Sequence, residues 1–388
     1  MAFQRTVDRF LKTLESLRYG QLLLELPDGS SHQFTAEQAG PKAHLHIHDP
    51  EVIRNLLRRG DIAFAEDYRD GKWDSNDLSV LIEFSLRNRS ALEEMIVGNK
   101  VSAWIAQLFY VFNRNTRRGS QRNIHAHYDL GNAFYRLWLD ESMTYSSGLY
   151  LSGKESLHEA QGNKYQRILD RIGTQGQEVL EIGCGWGGFI DHAITHGDYR
   201  VSGITISEAQ RDFTFQRFVG QKQAKILLQD YRDIQGRYDS IVSIEMFEAL
   251  GEQYWSTYFS KVCSALAPQG RAVIQTITIA DEHFQHYRKS GDAIRSLIFP
   301  GGMLPSLSRL GAEAAKAGLQ LCDTFGFGQD YAQTLRCWLK NFDAQSEAVK
   351  ALGFDDKFQR LWRFYLAYCC GAFAAEQTDV LQLEFRHI

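Results

Sequence analysis

The chain has 388 residues, of which 44% are hydrophobic and 23% are charged, and its formal net charge is -4 at pH 7. This length exceeds what one hydrophobic core usually serves, so we expect two domains of ordinary globular composition rather than a disordered or fibrous chain. The mild negative charge gives no argument for a nucleic-acid partner, and none is predicted.

The N-terminal region predicts a small mixed α/β domain. An amphipathic helical pattern opens the chain, and charges from Arg5 onward argue against a signal peptide. The run QLLLELPDGSSHQF predicts a hairpin that turns at residues 27–29. The run AHLHIH predicts a strand with His44, His46 and His48 on one face. We interpret this face as a solvated surface, with a metal site as the lesser alternative, because the sequence shows no acid or cysteine cluster beside it.

We place a domain boundary at residues 113–122, after an apolar helical segment from Ala91 to Phe112. This linker is basic and contains no acid, and guanidinium groups suit phosphate, so it is a candidate contact with lipid phosphates. A plain solvated linker is an equal alternative. The predicted domains are therefore 1–112 and 123–388. The arginines of the linker are Arg114, Arg117, Arg118 and Arg122.

From residue 123 onward, short β-branched runs alternate with helical spans. The alternation predicts an α/β fold with a mostly parallel sheet that helices cover on both faces. Ligands of such sheets bind beyond the carboxyl ends of the strands, where polar residues here would form an active-site rim. The predicted strands are 179–182, 200–206, 224–228, 240–244 and 271–277. The rim residues are Glu181, Thr205, Gln210, Gln229, Asp230, Glu245, Glu248 and Gln275.

The run VLEIGCGWGGF at residues 179–189 carries the strongest signal for a ligand. Its glycines allow positive φ and a close ligand approach, and the helix that follows offers the positive end of its dipole. A dinucleotide site needs an acid at the end of the next strand, about 20 residues on, but Thr205 stands there. Glu181 before the glycines would repel a pyrophosphate but suits a ligand with an ammonium and a sulfonium. The pattern therefore favours S-adenosylmethionine (SAM) over a purely structural turn.

Two further features narrow the class of protein. The six cysteines show no metal-ligand spacing, which is typical of a reduced cytosolic protein, and no metal is predicted. The longest apolar stretch, near residues 362–375, contains Arg363 and is too short to span a bilayer. We therefore expect no membrane-spanning segment.

Seven segments follow one another in order along the second domain. They are HYDLGNAFYRLWLDESMTYSS (127–147), VLEIGCGWGGF (179–189), GITISEAQ (203–210), LLQDYRD (227–233), SIVSIEMFEALG (240–251), IFPGGMLPS (298–306) and GQDYAQTL (328–335). Together they resemble the cyclopropane fatty acid synthase family, relatives of the mycolic acid cyclopropane synthases. The first hundred residues are similar to the N-terminal extension of the longer bacterial members.

The resemblance implies a Rossmann-like class I SAM-dependent methyltransferase domain at 123–388, with a smaller mixed N-terminal accessory domain for lipid or membrane-surface contact. The family's reaction adds the SAM methyl group to the double bond of an unsaturated fatty acyl chain of a phospholipid. The resulting carbocation loses a proton from the new methyl group as a cyclopropane ring closes, with a bound bicarbonate as the implied base. The implied partners are the phospholipid bilayer surface and an unsaturated phospholipid, and the implied location is cytoplasmic, peripherally associated with the inner face of the membrane. A homodimer stays open.

By position, the resemblance also implies site residues. Tyr145 and Ser146 would cover the cofactor, and the glycine turn would cradle its methionine part. Residues 205–210 would line its adenosine, and Tyr231 and Arg232 would flank the adenine. Cys184 is interpreted as a packing residue of the turn rather than a nucleophile. The implied cofactor-binding residues are Tyr145, Ser146, Glu181, Gly183, Cys184, Gly185, Thr205, Gln210, Tyr231 and Arg232. The implied catalytic residues are Glu248, Tyr331, Gln275, Ser147 and Ile277.

The chain departs from the family pattern at the implied bicarbonate site. The family has a cysteine where Ser147 stands and histidines where Ala249 and Gln275 stand, whereas Ile277 and Tyr331 match. Ser147 still offers its backbone N–H, and Gln275 can donate a hydrogen bond but cannot titrate. Either neutral donors hold bicarbonate, or the carbocation is resolved differently.

We therefore expect cyclopropane formation first. The alternative within the family is a fatty acyl methyltransferase that forms a methyl or methylene branch without ring closure. A small-molecule amine N-methyltransferase is a further alternative, because related enzymes share these motifs, and a non-catalytic lipid carrier is another.

Overall fold

The structure is a computed structural model, and it describes residues 2–96, 130–173, 176–289, 293–299 and 301–388. The chain forms two compact units. The first comprises Met1–Val111, Lys289–Ile298 and Leu335–Gln377, and the second comprises Phe112–Arg288, Phe299–Thr334 and Thr378–Ile388. The predicted linker 113–122 lies outside the described residues, so the boundary placed there stays a prediction.

The first unit contains a four-stranded sheet in the order β2-β1-β3-β4. Its strands are β1 (Tyr19–Glu25), β2 (Ser31–Thr35), β3 (Gln38–Ile47) and β4 (Trp73–Asp74). The predicted hairpin is confirmed, since β1 and β2 pair antiparallel and Gly29 adopts a φ of 83° in the turn between them. The helices of this unit are Ala2–Leu14, Glu51–Arg69, Leu78–Arg87, Arg89–Ile96, Ala293–Leu297, Ser346–Ala351 and Asp356–Ala374.

The apolar face of the first helix belongs to the core of this unit, where Val7, Phe10 and Leu14 are buried. The late helix Asp356–Ala374 contributes to the same core through Phe364 and Ala367. Both apolar stripes therefore have a packing role within the fold. No helix among the described residues has the length and apolarity needed to cross a bilayer.

The predicted histidine face exists, and strand pairing brings to it two single acids that do not stand beside the histidines in the sequence. Parallel pairing of β1 with β3 brings Glu25 to His44, with 3.1 Å between the carboxylate and Nε2. Asp74 of β4 lies 2.8 Å from His48 Nε2. These acids are remote in the sequence, and only strand pairing brings them to the histidines. Within the described part of the chain, no group of such side chains has the arrangement of a metal site.

The second unit contains a seven-stranded sheet in the order β10-β11-β9-β8-β5-β6-β7. The five predicted strands are confirmed, and β9, β8, β5, β6 and β7 are parallel neighbours. The last two strands were not predicted, because they are short of β-branched residues, and they pair antiparallel beside β9. The strands are β5 (Glu178–Ile182), β6 (Arg200–Thr205), β7 (Ala224–Leu228), β8 (Tyr238–Ile244), β9 (Leu266–Ile279), β10 (Leu319–Gly326) and β11 (Thr378–His387).

Helices cover both faces of this sheet, as predicted. Successive residues of β5 belong to different core clusters, with Val179 on one face and Leu180 on the other, as strand alternation requires. Phe189 packs in the first cluster and Phe259 in the second. The helices are Asn132–Arg136, Leu157–Ile172, Gly188–His196, Glu208–Arg217, Trp255–Ala265, Asp281–Lys289 and Leu307–Lys316; Gly328–Ala344 contributes residues to both units.

Candidate active site

The candidate site lies at the carboxyl ends of the parallel strands in the second unit. Because β9, β8, β5 and β6 are consecutive neighbours, the residues that follow or end them meet along one edge of the sheet. These include Glu181, Thr205 and Glu245. The rim predicted from the sequence is therefore present.

The glycine turn after β5 has the geometry of a ligand cradle. Gly183 has a φ of 85° and Gly185 one of 52°, which glycine adopts without strain. A Cβ on Gly183 would approach the Met246 side chain to 2.8 Å, whereas a Cβ on Gly185 would meet no atom within 4 Å. The backbone at Gly185 thus faces open space, immediately before the helix Gly188–His196 begins.

Glu181, the last residue but one of β5, carries a carboxylate that suits a cationic ligand. The residue is 3% exposed, and its Oε2 has no hydrogen-bond partner among the described residues. Burial raises the pKa of Glu181 from 4.5 to about 8, and the positive charge of Lys164 opposes this rise. An ammonium or sulfonium beside the carboxylate would relieve the cost of burying its charge. The residues present therefore fit SAM.

The residues implied for the adenosine lie at the next strand ends. Thr205 Oγ1 donates to Gln210 Oε1 at 2.8 Å, and both residues are buried. Arg232 forms an ion pair with Asp230 at 2.6 Å and lies over the ring of Tyr231 at 5.4 Å from its centroid. The Tyr231 hydroxyl is buried without a hydrogen-bond partner among the described residues.

Ser146, one of the two residues implied to cover the cofactor, contacts a buried lysine that sequence reasoning missed. Lys164 is completely buried, and its Nζ donates to Ser146 Oγ and to Gln161 Oε1, each at 2.6 Å. Burial lowers the pKa of Lys164 to about 7. The sequence did carry a signal, because Lys164 stands four residues from both Ala160 and Ile168 in the buried stripe of the helix Leu157–Ile172.

Tyr145 and Cys184, the remaining residues implied near the cofactor, are held by packing. The Tyr145 ring lies 5.5 Å from those of Tyr135 and Trp138. Cys184 is buried, and burial raises the pKa of its thiol well above the usual value. The thiol is therefore protonated at neutral pH, in keeping with its predicted packing role.

Three of the five implied catalytic residues converge on Glu245, which sequence reasoning had placed only among the rim residues. The Ser147 backbone N–H donates to Glu245 Oε1 at 2.9 Å, and Gln275 Nε2 donates to the same oxygen at 2.7 Å. The Tyr331 hydroxyl donates to Glu245 Oε2 at 2.5 Å. Glu245 therefore has both carboxylate oxygens held by donors from three separate segments.

The orientation of Gln275 is set by a chain of hydrogen bonds that begins at an arginine. Arg167 Nη1 donates to Gln382 Oε1 at 3.0 Å, and Gln382 Nε2 donates to Gln275 Oε1 at 3.0 Å. Because guanidinium has no acceptor, both amides must point their NH2 groups away from Arg167. The chain thus ends in an N–H directed at Glu245.

The other two implied catalytic residues contact each other. The Ile277 backbone N–H donates to Glu248 Oε1. Glu248 Oε2 is buried and has no hydrogen-bond partner among the described residues. Burial, and then the charge of Glu245, raise the pKa of Glu248 to about 8. Glu248 and Glu245 are thus two acids in electrostatic contact at one strand end.

Similarity to known proteins assigns the family. The family model for mycolic acid cyclopropane synthetase matches residues 115–383. The chain belongs to this family. The tuberculostearic acid methyltransferase UfaA1 of Mycobacterium tuberculosis is 34% identical over 362 residues, which cover 89% of this chain and 83% of that protein. The cyclopropane-fatty-acyl-phospholipid synthase of Escherichia coli is 32% identical over 344 residues, which cover 88% of this chain and 87% of that protein.

Solved structures agree with this assignment. The mycolic acid cyclopropane synthase CmaA1, complexed with SAH and CTAB, has a TM-score of 0.64 at 30% identity and covers 68% of this chain and 97% of its own. Coclaurine N-methyltransferase has a TM-score of 0.64 at 17% identity, which shows the fold alone, and covers 83% of this chain and 98% of its own. The predicted family, fold class and enzyme class, a SAM-dependent methyltransferase, are confirmed.

Proposed function

We propose that this member of the family transfers a methyl group from SAM to the double bond of an unsaturated fatty acyl chain of a phospholipid and closes a cyclopropane ring. The observation that carries the proposal is the pairing of two features at one sheet edge. One is the buried, unpartnered Glu181 oxygen beside the open glycine turn. The other is the pair of acids Glu245 and Glu248 at the adjacent strand end. The Escherichia coli relative, named as a cyclopropane-fatty-acyl-phospholipid synthase, supports the same substrate class.

In this proposal the cofactor lies along the ends of β5 and β6. Glu181 would hold its positive charge, and Gly183 and Gly185 would let the backbone approach its methionine part. Thr205 and Gln210 would line its adenosine. When bound, SAM supplies a methyl electrophile with a neutral leaving group.

The chain's own residues serve the rest of the reaction. An alkene is a weak nucleophile, so orientation and exclusion of water matter more than a strong base in the first step. The carboxylate of Glu245 would place negative charge where a carbocation develops, and a fixed charge in a dry site stabilises such a centre well. Bicarbonate as the base of the second step stays a prediction.

The place of action follows from the substrate. Phospholipid acyl chains lie inside a bilayer, so we propose that the enzyme works peripherally at the cytoplasmic face of the membrane. The basic linker 113–122 is the proposed lipid contact, and homodimer formation stays a prediction that sedimentation analysis would test.

Lipid analysis of an expressing host tests the function. We expect phospholipid acyl chains to gain one CH2 and to lose the double bond, as ozonolysis before mass spectrometry would report. A gain of CH2 with a retained double bond would identify a methylene branch, and a saturated methyl branch would carry two further hydrogens. The relative named as tuberculostearic acid methyltransferase favours branching without ring closure as the second candidate function. Unchanged lipids together with methylation of added amines would refute both lipid functions.

A further inference from the structure

We propose that the carboxylate of Glu245 is the catalytic base of this enzyme and takes the position in which the family resemblance implied bicarbonate. The inference rests on the proposed function and deepens it, because it assigns the proton acceptor to a side chain of this protein. Its basis is the contact geometry around Glu245.

The groups implied to bind the anion already bind Glu245. Ser147 N–H and Gln275 Nε2 donate to its Oε1, and the Tyr331 hydroxyl donates to its Oε2. Bicarbonate and a carboxylate share the same recognition face, a planar pair of oxygens with delocalised negative charge. Because these three donors already bind the Glu245 carboxylate, they are not free to bind a bicarbonate ion as well.

The backbone of Glu245 has an unusual left-handed conformation, and its carboxylate contacts the three donors in that conformation. Its φ is 48°, in the left-handed region, and only Met143 and Glu376 share this property among the described non-glycine residues. The residue follows directly after β8, where its N–H donates to the Gln275 carbonyl at 2.8 Å. Strained backbone of this kind persists where the surroundings determine it and is concentrated at functional sites.

The surrounding charges favour ionisation of Glu245 over Glu248. Glu245 accepts three hydrogen bonds, and the buried Lys164 cation lowers its pKa, although burial raises the pKa overall. Glu248 has one oxygen on the Ile277 N–H and the other without a described partner, so it is the acid that keeps a proton. A carboxylate with a raised pKa is a better proton acceptor than one in water.

The proposed step balances without any further reactant. The alkene electron pair forms a bond to the methyl carbon as the carbon–sulfur bond breaks, and S-adenosylhomocysteine leaves as a neutral thioether. A C–H bond of the new methyl group then breaks, and its electron pair closes the ring onto the cationic carbon. The proton passes to Glu245 Oε2, which has one acceptor site left because Oε1 already accepts two bonds and Oε2 one. The acid then returns its proton to water.

Two variants and one depletion test the proposal. Glu245→Gln keeps the shape of the side chain but removes the base, so we expect product formation to fall by about 100- to 10,000-fold. SAM affinity should change little, because Glu181 is the proposed ligand of the cofactor's charge. Glu141→Gln is the matched control, since that side chain is 78% exposed in the same unit, and it should retain the wild-type rate.

The second variant, Glu245→Gly, frees the three donors and adopts a φ of 48° without strain. We expect it to be inactive in bicarbonate-free buffer and to regain activity when bicarbonate or formate is added, while the wild type needs neither. Circular dichroism and SAM titration would establish that both variants fold.

The possible results distinguish failure of the base assignment from failure of the proposed function. A wild-type enzyme that forms lipid product only with bicarbonate keeps the proposed function and overturns the base assignment. An undiminished rate in Glu245→Gln overturns the assignment as well. No lipid product from the wild type under any condition overturns both.

Discussion

Replacing Glu181 by Gln should stabilise the unliganded protein at alkaline pH while weakening its binding of SAM. Burial raises the pKa of this acid from 4.5 to about 8, so the folded state binds its proton more tightly than the unfolded state. Stability from this group is therefore complete below pH 4.5 and is lost as the pH rises through 8. The interval spans about 3.5 pH units, which at about 1.4 kcal/mol per unit sets an upper bound of about 5 kcal/mol.

The assay is thermal unfolding of the SAM-free proteins at pH 5, 7 and 8.5, followed by calorimetric titration with SAM. Glu181→Gln cannot ionise, so its advantage over the wild type should grow with pH. Its SAM affinity should fall by at least about 30-fold, because losing one partner of a buried charge pair costs about 2–5 kcal/mol. Glu141→Gln, whose side chain is exposed, should follow the wild type in both measurements.

Two results would refute this reasoning. If wild type and Glu181→Gln had the same dependence of stability on pH, Glu181 would already be ionised in the folded protein. If SAM affinity were unchanged, the orphaned Glu181 oxygen would not face the cofactor's charge, and the proposed position of SAM would be wrong.

Three further predictions concern the glycine turn, the hydrogen-bond chain that orients Gln275, and the linker 113–122. Gly185→Val should abolish SAM binding in titration, because its side chain enters the open space of the cradle, and should lower the unfolding temperature, because a φ of 52° strains a β-branched residue. Gly183→Val should lower the unfolding temperature further, because its Cβ also clashes with Met246; a folded Gly185→Val with normal affinity would contradict this. Gln382→Leu removes the partner that orients Gln275, so product formation should slow by up to about 100-fold at constant SAM affinity. An unchanged rate would show that the hydrogen-bond chain through Gln382 does not contribute to catalysis. Gln in place of all four arginines of the linker 113–122 should reduce binding to anionic vesicles and its salt sensitivity, and undiminished sedimentation with vesicles would exclude that contact.

The sequence alone determined the parallel part of the sheet in the second unit and the class of its chemistry. Alternating strand and helix patterns predicted five parallel strands, and the structure contains all five. The order of Glu181 and the glycines after it indicated a cationic cofactor. These conclusions were accessible because each depends on residues that are close together in the chain, where local pattern and turn chemistry act directly.

Some features were in the sequence but were missed. Lys164 interrupts the apolar stripe of its helix, which is a readable anomaly, because a charged residue on a buried face needs partners. The strands β10 and β11, in contrast, carry no such signal, because they lack β-branched runs. They are recognised as strands by their pairing in the folded chain, where β11 pairs with β9 and β10 pairs with β11.

Tertiary structure alone decided the contacts of Glu245. Its partners Ser147, Gln275 and Tyr331 come from a loop, a strand and a helix that are far apart in the chain. The left-handed φ of Glu245 could not be predicted from the sequence, because glutamate rarely adopts it. The same holds for the helix Asp356–Ala374, which shares a core with Trp73 of the N-terminal sheet. A sequence pattern states which residues seek burial or hydrogen bonds. Which partners they find is decided by the packing of remote segments, since hydrogen bonds and buried contacts depend on distance in space.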